Sequence, residues 1–159
     1  MRFSNIIKLF IIGILLHSCA ASKLTEEGNK AYNAGNYEEA LKQYDQIIES
    51  KESTGSKAKA PVYVKAGVSA LKLEQTDKAR TYLESARGLQ YSSAEMYESL
   101  AKVYKVIDNL SKEITALETY HKNYPQGENI QWVNKRLLET YVESENWDYA
   151  VVNTRPTLS

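Results

Sequence analysis

Apolar residues recur three and four positions apart along most of the chain, the spacing that places them on one face of an α-helix. No comparable stretch alternates between apolar and polar residues as a half-buried strand does. Polar breaks at residues 34–36, 75–77, 108–109 and 145–146 separate the helical stretches. Asn36 with Glu39, and Ser92 with Glu95, have the spacing of a helix-capping box. The pattern therefore predicts short helices that form antiparallel pairs.

One motif of small and apolar residues recurs along the chain. Its second copy begins 39 residues after the first, its third 34 residues later, and its fourth a further 37 residues on. A period of this length is typical of repeat architectures, in which each unit packs against its neighbours. The matching positions are Gly28, Ala40 and Tyr44; Gly67, Ala79 and Leu83; Ala101, Glu113 and Leu117; and Leu138, Ala150 and Thr154.

The motif resembles the tetratricopeptide repeat, a helix–turn–helix unit of 34 residues, over Ala21 to Thr154. The resemblance implies an all-α fold, an α-solenoid of about four antiparallel helix pairs in a right-handed superhelix. Glu113 and Leu138 stand where the repeat has a small residue, so we expect looser packing there. The residues that the resemblance assigns to helix packing are Gly28, Ala40, Tyr44, Gly67, Ala79, Leu83, Ala101, Leu117 and Ala150.

The N-terminus has the pattern of a secretory signal. Basic residues accompany an uninterrupted apolar run, Leu9 to Leu16, that is much shorter than the ~20 residues a membrane-spanning helix needs. The run ends just before Cys19 and resembles a bacterial lipoprotein signal, with Leu16 three residues before the cysteine and Ser18 directly before it. This resemblance implies cleavage before Cys19 and its lipidation. The alternatives are a buried thiol behind a signal cut elsewhere, or an uncleaved N-terminal helix.

We therefore divide the chain into a signal at 1–18, a tether at 19–22, a repeat domain at 23–155 and a tail at 156–159. Ala20 follows the cysteine, where an Asp is associated with retention in the inner membrane of some Gram-negative bacteria. We therefore expect an outer-membrane lipoprotein that faces the periplasm, held by its lipid anchor alone.

Composition excludes several function classes. The chain has 20 basic and 20 acidic residues, and removal of the signal leaves the acidic residues in slight excess, so nucleic acid is not an expected partner. One Cys and two His cannot assemble a zinc or iron–sulfur site, and we expect no metal or other cofactor. His121 is the only histidine after the signal and is predicted to lie on the surface. We predict that the protein is not an enzyme.

The resemblance also indicates where a partner would bind, because the first helix of each tetratricopeptide pair lines the concave side of the solenoid. Basic residues recur there, which favours an acidic or extended segment of an envelope protein. The alternative is that they are ordinary solvated lysines on amphipathic helices. The candidate groove residues are Asn29, Tyr32, Asn33, Lys65, Val68, Lys72, Lys102, Lys105, Trp132 and Arg136.

The sequence thus predicts a lipid-anchored scaffold for protein–protein interaction at the bacterial cell envelope. A module that contacts carbohydrate or peptidoglycan is the alternative, motivated by 12 Tyr and by Trp132. It requires exposed rings, whereas repeat packing predicts five tyrosines to be buried: Tyr44, Tyr63, Tyr97, Tyr104 and Tyr141.

The C-terminal edge is a second candidate surface. The last predicted helix, Trp147 to Asn153, is about half as long as its counterparts and leaves one flank of the fourth unit under-covered. That edge is predicted either to be a frayed terminus or to bind another protein or a second copy of this chain. Its residues are Leu137, Leu138, Tyr141, Trp147 and Val151.

Overall fold

The computed structural model describes residues 22–144. In this range the chain forms seven helices and no strand, which confirms the all-α solenoid. The predicted eighth helix, with Ala150, and the N-terminal signal with Cys19 lie outside the described residues. The helices are α1 at residues 22–33, α2 Tyr37–Glu52, α3 Ala60–Lys72, α4 Thr76–Gly88, α5 Ala94–Val106, α6 Leu110–Asn123 and α7 Ile130–Glu143.

Side-chain caps and left-handed turn residues set the helix boundaries. The Asn36 and Asn109 side chains accept hydrogen bonds from backbone N–H groups in the first turns of α2 and α6. The cap of α5 is Ser93, one residue later than the Ser92 predicted from sequence, and its side chain accepts from the backbone N–H of Met96. Each pair then turns through one residue of positive φ, namely Gly35 at 75°, Glu74 at 59° and Asp108 at 54°. Their spacing repeats that of the sequence motif.

The helices stack in chain order as the pairs α1–α2, α3–α4 and α5–α6, with α7 packed on α6. Helix α3 also contacts α2 and α5, so it has neighbours on several sides. Eight of its 13 residues are buried as a result. This enclosure decides which side chains of α3 remain available on the surface.

Small residues allow the two helices of a pair to approach closely. A Cβ atom at Gly28 would lie 2.8 Å from Cε1 of Tyr44, and one at Gly67 would lie 2.6 Å from Cγ of Leu83 and 3.2 Å from the Ala79 carbonyl oxygen. These distances leave no room for a side chain. The other described residues of the packing set are also fully buried: Ala40, Ala79, Ala101 and Leu117.

The third unit keeps its packing although it carries Glu113 in place of a small residue. Glu113 is 2% exposed and accepts hydrogen bonds from Nε and Nη2 of Arg136 at 2.6 and 3.0 Å. The looser packing expected at Glu113 is therefore wrong, because a guanidinium from α7 fills the space that the longer side chain opens. Leu138, the other departure, is 38% exposed.

Buried tyrosines account for much of the aromatic content. The rings of Tyr44, Tyr63, Tyr104 and Tyr141 are at most 3% exposed, and Tyr97 is half-buried. Tyrosine hydroxyls bond to acids on neighbouring helices, for example Tyr82 to Asp45 and Tyr141 to Glu118, both at 2.7 Å. The rings therefore pack between helices while their hydroxyls stay hydrogen-bonded. None of these four buried rings is available for stacking on a sugar.

Candidate partner-binding face

The candidate groove residues lie on α1, α3, α5 and α7, the first helices of the successive units, whose shared side we call the first-helix face. Asn33, Lys72 and Lys105 are exposed on it. Asn29, Tyr32, Lys65, Lys102 and Trp132 are half-buried. The face therefore presents cationic and aromatic groups that are held in place by their neighbours.

Two predicted groove residues do not belong to the face. Val68 is 7% exposed, because α3 is enclosed by α2, α4 and α5. Arg136 is also buried, and its guanidinium points to Glu113 and to two acids of its own helix, Glu139 at 3.2 Å and Glu143 at 2.9 Å. Hydrogen bonding to Glu113 raises the pKa of the Arg136 guanidinium. The assignment of Val68 and Arg136 to partner binding is therefore wrong.

Three lysines of the first-helix face lie over aromatic rings. The distance from Nζ to the ring centroid is 5.3 Å for Lys65 over Tyr32 and 5.1 Å for Lys102 over Trp132. Lys72 lies 5.9 Å from the ring of Tyr37, at the start of α2. Such cation–π contacts contribute about 0.5–1 kcal/mol each at exposed sites and restrict the lysine side chains. We call these three pairs the lysine–aromatic row.

Asn29 connects α1 to both of its neighbours. Its Oδ1 atom accepts one hydrogen bond from the Tyr44 hydroxyl at 2.9 Å and another from Lys65 Nζ at 2.7 Å. Burial raises the pKa of Tyr44 to about 12, so the hydroxyl stays protonated and donates. Asn29 thereby fixes the position of the Lys65 ammonium group.

Glu95 is a residue of this face that the sequence reasoning did not assign. It lies at the start of α5, and its carboxylate accepts a hydrogen bond from the Tyr32 hydroxyl of α1. The two residues are 63 positions apart and belong to the first and third units. One turn later Glu98 pairs with Lys102 and accepts from Asn129 at 2.7 Å. No local sequence signal joins these residues, since only the superhelix brings the units together.

The predicted C-terminal edge is only partly open. Leu137 and Tyr141 are buried, whereas Leu138 and Val142 of α7 are 38% and 42% exposed. Trp147 and Val151 lie outside the described residues. Whether a partner or a second copy binds this edge stays a prediction.

Within residues 22–144 no group of three or more His, Cys, Asp or Glu side chains could hold a metal ion. Half-buried His121 shares a hydrogen bond of 2.7 Å between its Nδ1 and Oδ1 of Asn134. In the same range, no helix is both long and apolar enough to cross a lipid bilayer.

The fold is that of tetratricopeptide-repeat domains. Similar solved structures include the OM64 tetratricopeptide-repeat domain of Arabidopsis, with 19% identity and a TM-score of 0.64 over 74% of this chain and 93% of that one. MamA of Desulfovibrio magneticus has 20% identity and a TM-score of 0.67 over 84% and 71%. A tetratricopeptide repeat protein of Parabacteroides merdae has 13% identity and a TM-score of 0.67 over 84% and 50%. No family model and no curated protein matches the sequence.

Proposed function

We propose that this protein is a lipid-anchored scaffold of the bacterial cell envelope that binds a protein partner through its first-helix face. In this proposal Cys19 carries the lipid, and the tether holds the solenoid at the periplasmic side of the outer membrane. The partner contributes an acidic or extended segment. The role is binding and not catalysis.

The observation that carries the proposal is the set of lysines on the first-helix face. Lys72 and Lys105 are exposed, and neither forms an ion pair with any residue between 22 and 144. Exposed, unpaired cations attract an acidic segment, and rigid helices present them without a large entropic cost on binding. The lysine–aromatic row adds flat surfaces on which an extended segment can pack.

The envelope location rests on the N-terminal sequence. The apolar run that ends before Cys19 supports export, and lipidation of that cysteine would supply the membrane attachment. Several acyl chains on one residue hold a protein durably, because each buried methylene contributes about 0.8 kcal/mol. A membrane-held scaffold would bring its partner to the lipid surface.

Replacing Cys19 by Ser is expected to remove the membrane attachment. In the native host, fed with an alkyne-labelled fatty acid, the wild-type protein should carry the label and sediment with membranes. The C19S variant should lose the label and appear in the soluble fraction. Equal labelling of both proteins would contradict the anchor, whatever the first-helix face binds.

Reversing the exposed charges of the first-helix face is expected to prevent partner binding. The double variant Lys72→Glu and Lys105→Glu should lose at least about tenfold of the protein captured by chemical crosslinking in membranes, since opposing charges become like charges. The matched control is Lys51→Glu with Lys122→Glu, two exposed lysines on second helices that make the same change in net charge. Equal capture by both double variants would exclude the first-helix face as the binding surface.

A further inference from the structure

The contact between Tyr32 and Glu95 crosses from the first unit to the third. Glu95 is exposed and lies in the first turn of α5, whereas Tyr32 is half-buried on α1. A carboxylate on this flexible, exposed side chain therefore reaches a hydroxyl that is fixed in the first-helix face. The same place could receive a carboxylate from another molecule.

The groups around Tyr32 are suited to a carboxylate. Lys65 Nζ lies 5.3 Å from the Tyr32 ring centroid and donates to Asn29, yet it forms no ion pair within the described part of the chain. An ammonium group has three donors, and the bond to Asn29 uses one of them. A half-buried ammonium without a counter-ion favours a nearby anion, because charge-assisted hydrogen bonds are about twice as strong as neutral ones.

The tyrosine is held in the form that donates. Burial, together with the hydrogen bond to Glu95, raises the pKa of Tyr32, so its hydroxyl keeps its proton at neutral pH. Glu95 can leave without becoming unstable, because an acid in the first turn of a helix is favoured by the helix dipole whether or not it is bonded.

We propose that Tyr32 and Lys65, positioned by Asn29, form a carboxylate-binding site that Glu95 occupies from within the molecule. An acidic group of the partner replaces Glu95 there and gains the Lys65 ammonium group, which Glu95 does not pair with. This inference rests on the proposed function, since it identifies one contact of the partner with the first-helix face. Glu95 then acts as an internal competitor that weakens binding.

The test measures binding of fluorescein-labelled hexaglutamate to the full chain in mild detergent, by fluorescence anisotropy at low salt. Glu95→Gln is expected to tighten binding about tenfold, because the competitor is lost while the site remains. Glu98→Gln removes the same charge one turn further along α5, and it should change the affinity less than twofold. Lys65→Met added to Glu95→Gln should cancel the gain. Circular dichroism checks that each variant is folded.

Two peptide forms distinguish the source of the carboxylate. An amidated hexaglutamate that binds as tightly as the free acid assigns the site to acidic side chains, and a loss of binding on amidation assigns it to a chain terminus. Equal tightening by Glu95→Gln and Glu98→Gln, or no change with either, would overturn the site. Crosslinked capture of a partner would survive that result, whereas loss of capture with a normal Glu95→Gln response would refute the proposed function alone.

Discussion

Replacing Arg136 by Met is expected to lower the free energy of unfolding by about 3–5 kcal/mol, the usual cost of removing one partner of a buried ion pair. The reason lies in Glu113, which is 2% exposed and receives two hydrogen bonds from the guanidinium. Without Arg136 a carboxylate would remain between α6 and α7 with no cation to compensate its desolvation. Urea unfolding followed by circular dichroism measures the change.

Two companion variants give this result its meaning. The double variant Glu113→Ala with Arg136→Met should recover most of the lost stability, since it restores the small residue of the repeat and removes both charges. The exposed pair Arg80–Asp77 supplies the control, and Arg80→Met should cost less than about 1 kcal/mol. An Arg136→Met protein as stable as the Arg80→Met protein would contradict the buried network.

Substituting Gly67 by Val is expected to cost about 3 kcal/mol, the upper end of the range for overpacking. The new Cβ would lie 2.6 Å from Leu83 Cγ and 3.2 Å from the Ala79 carbonyl oxygen. Leu83 is fully buried and the carbonyl belongs to the backbone, so α3 and α4 would have to move apart. The midpoint of thermal unfolding should fall accordingly.

Gly88 offers a matched control for this substitution. It is the last residue of α4, and a Cβ there would meet nothing within 4 Å. Gly88→Val should therefore change stability by no more than about 0.5 kcal/mol, as expected for a surface position. If the two valine variants unfolded at the same temperature, the small-residue register would not hold the helices together.

The fold was predictable because its signals are local and periodic. The register at Gly28 and Gly67 repeats along the sequence, and each of these residues contacts the second helix of its own pair. Helix starts were predictable to within a residue, as Ser93 in place of Ser92 shows. Regular spacing of small and apolar residues thus carries most of the architecture.

The site was less predictable, because it depends on contacts between units. Helical spacing placed Arg136 on the first-helix face, but its direction follows from Glu113, 23 residues earlier. Val68 was assigned to the groove, yet the helices around α3 bury it. The bond between Tyr32 and Glu95 depends on how far the superhelix turns over two units, which no short motif encodes.

The most direct measurement of the proposed binding surface is photo-crosslinking in the native host. A p-benzoylphenylalanine at position 105 of the first-helix face is compared with one at position 122 near the end of α6, both exposed in the structure. The account predicts an adduct with an envelope protein from position 105 and none from position 122. An adduct from position 122 together with none from position 105 would contradict it.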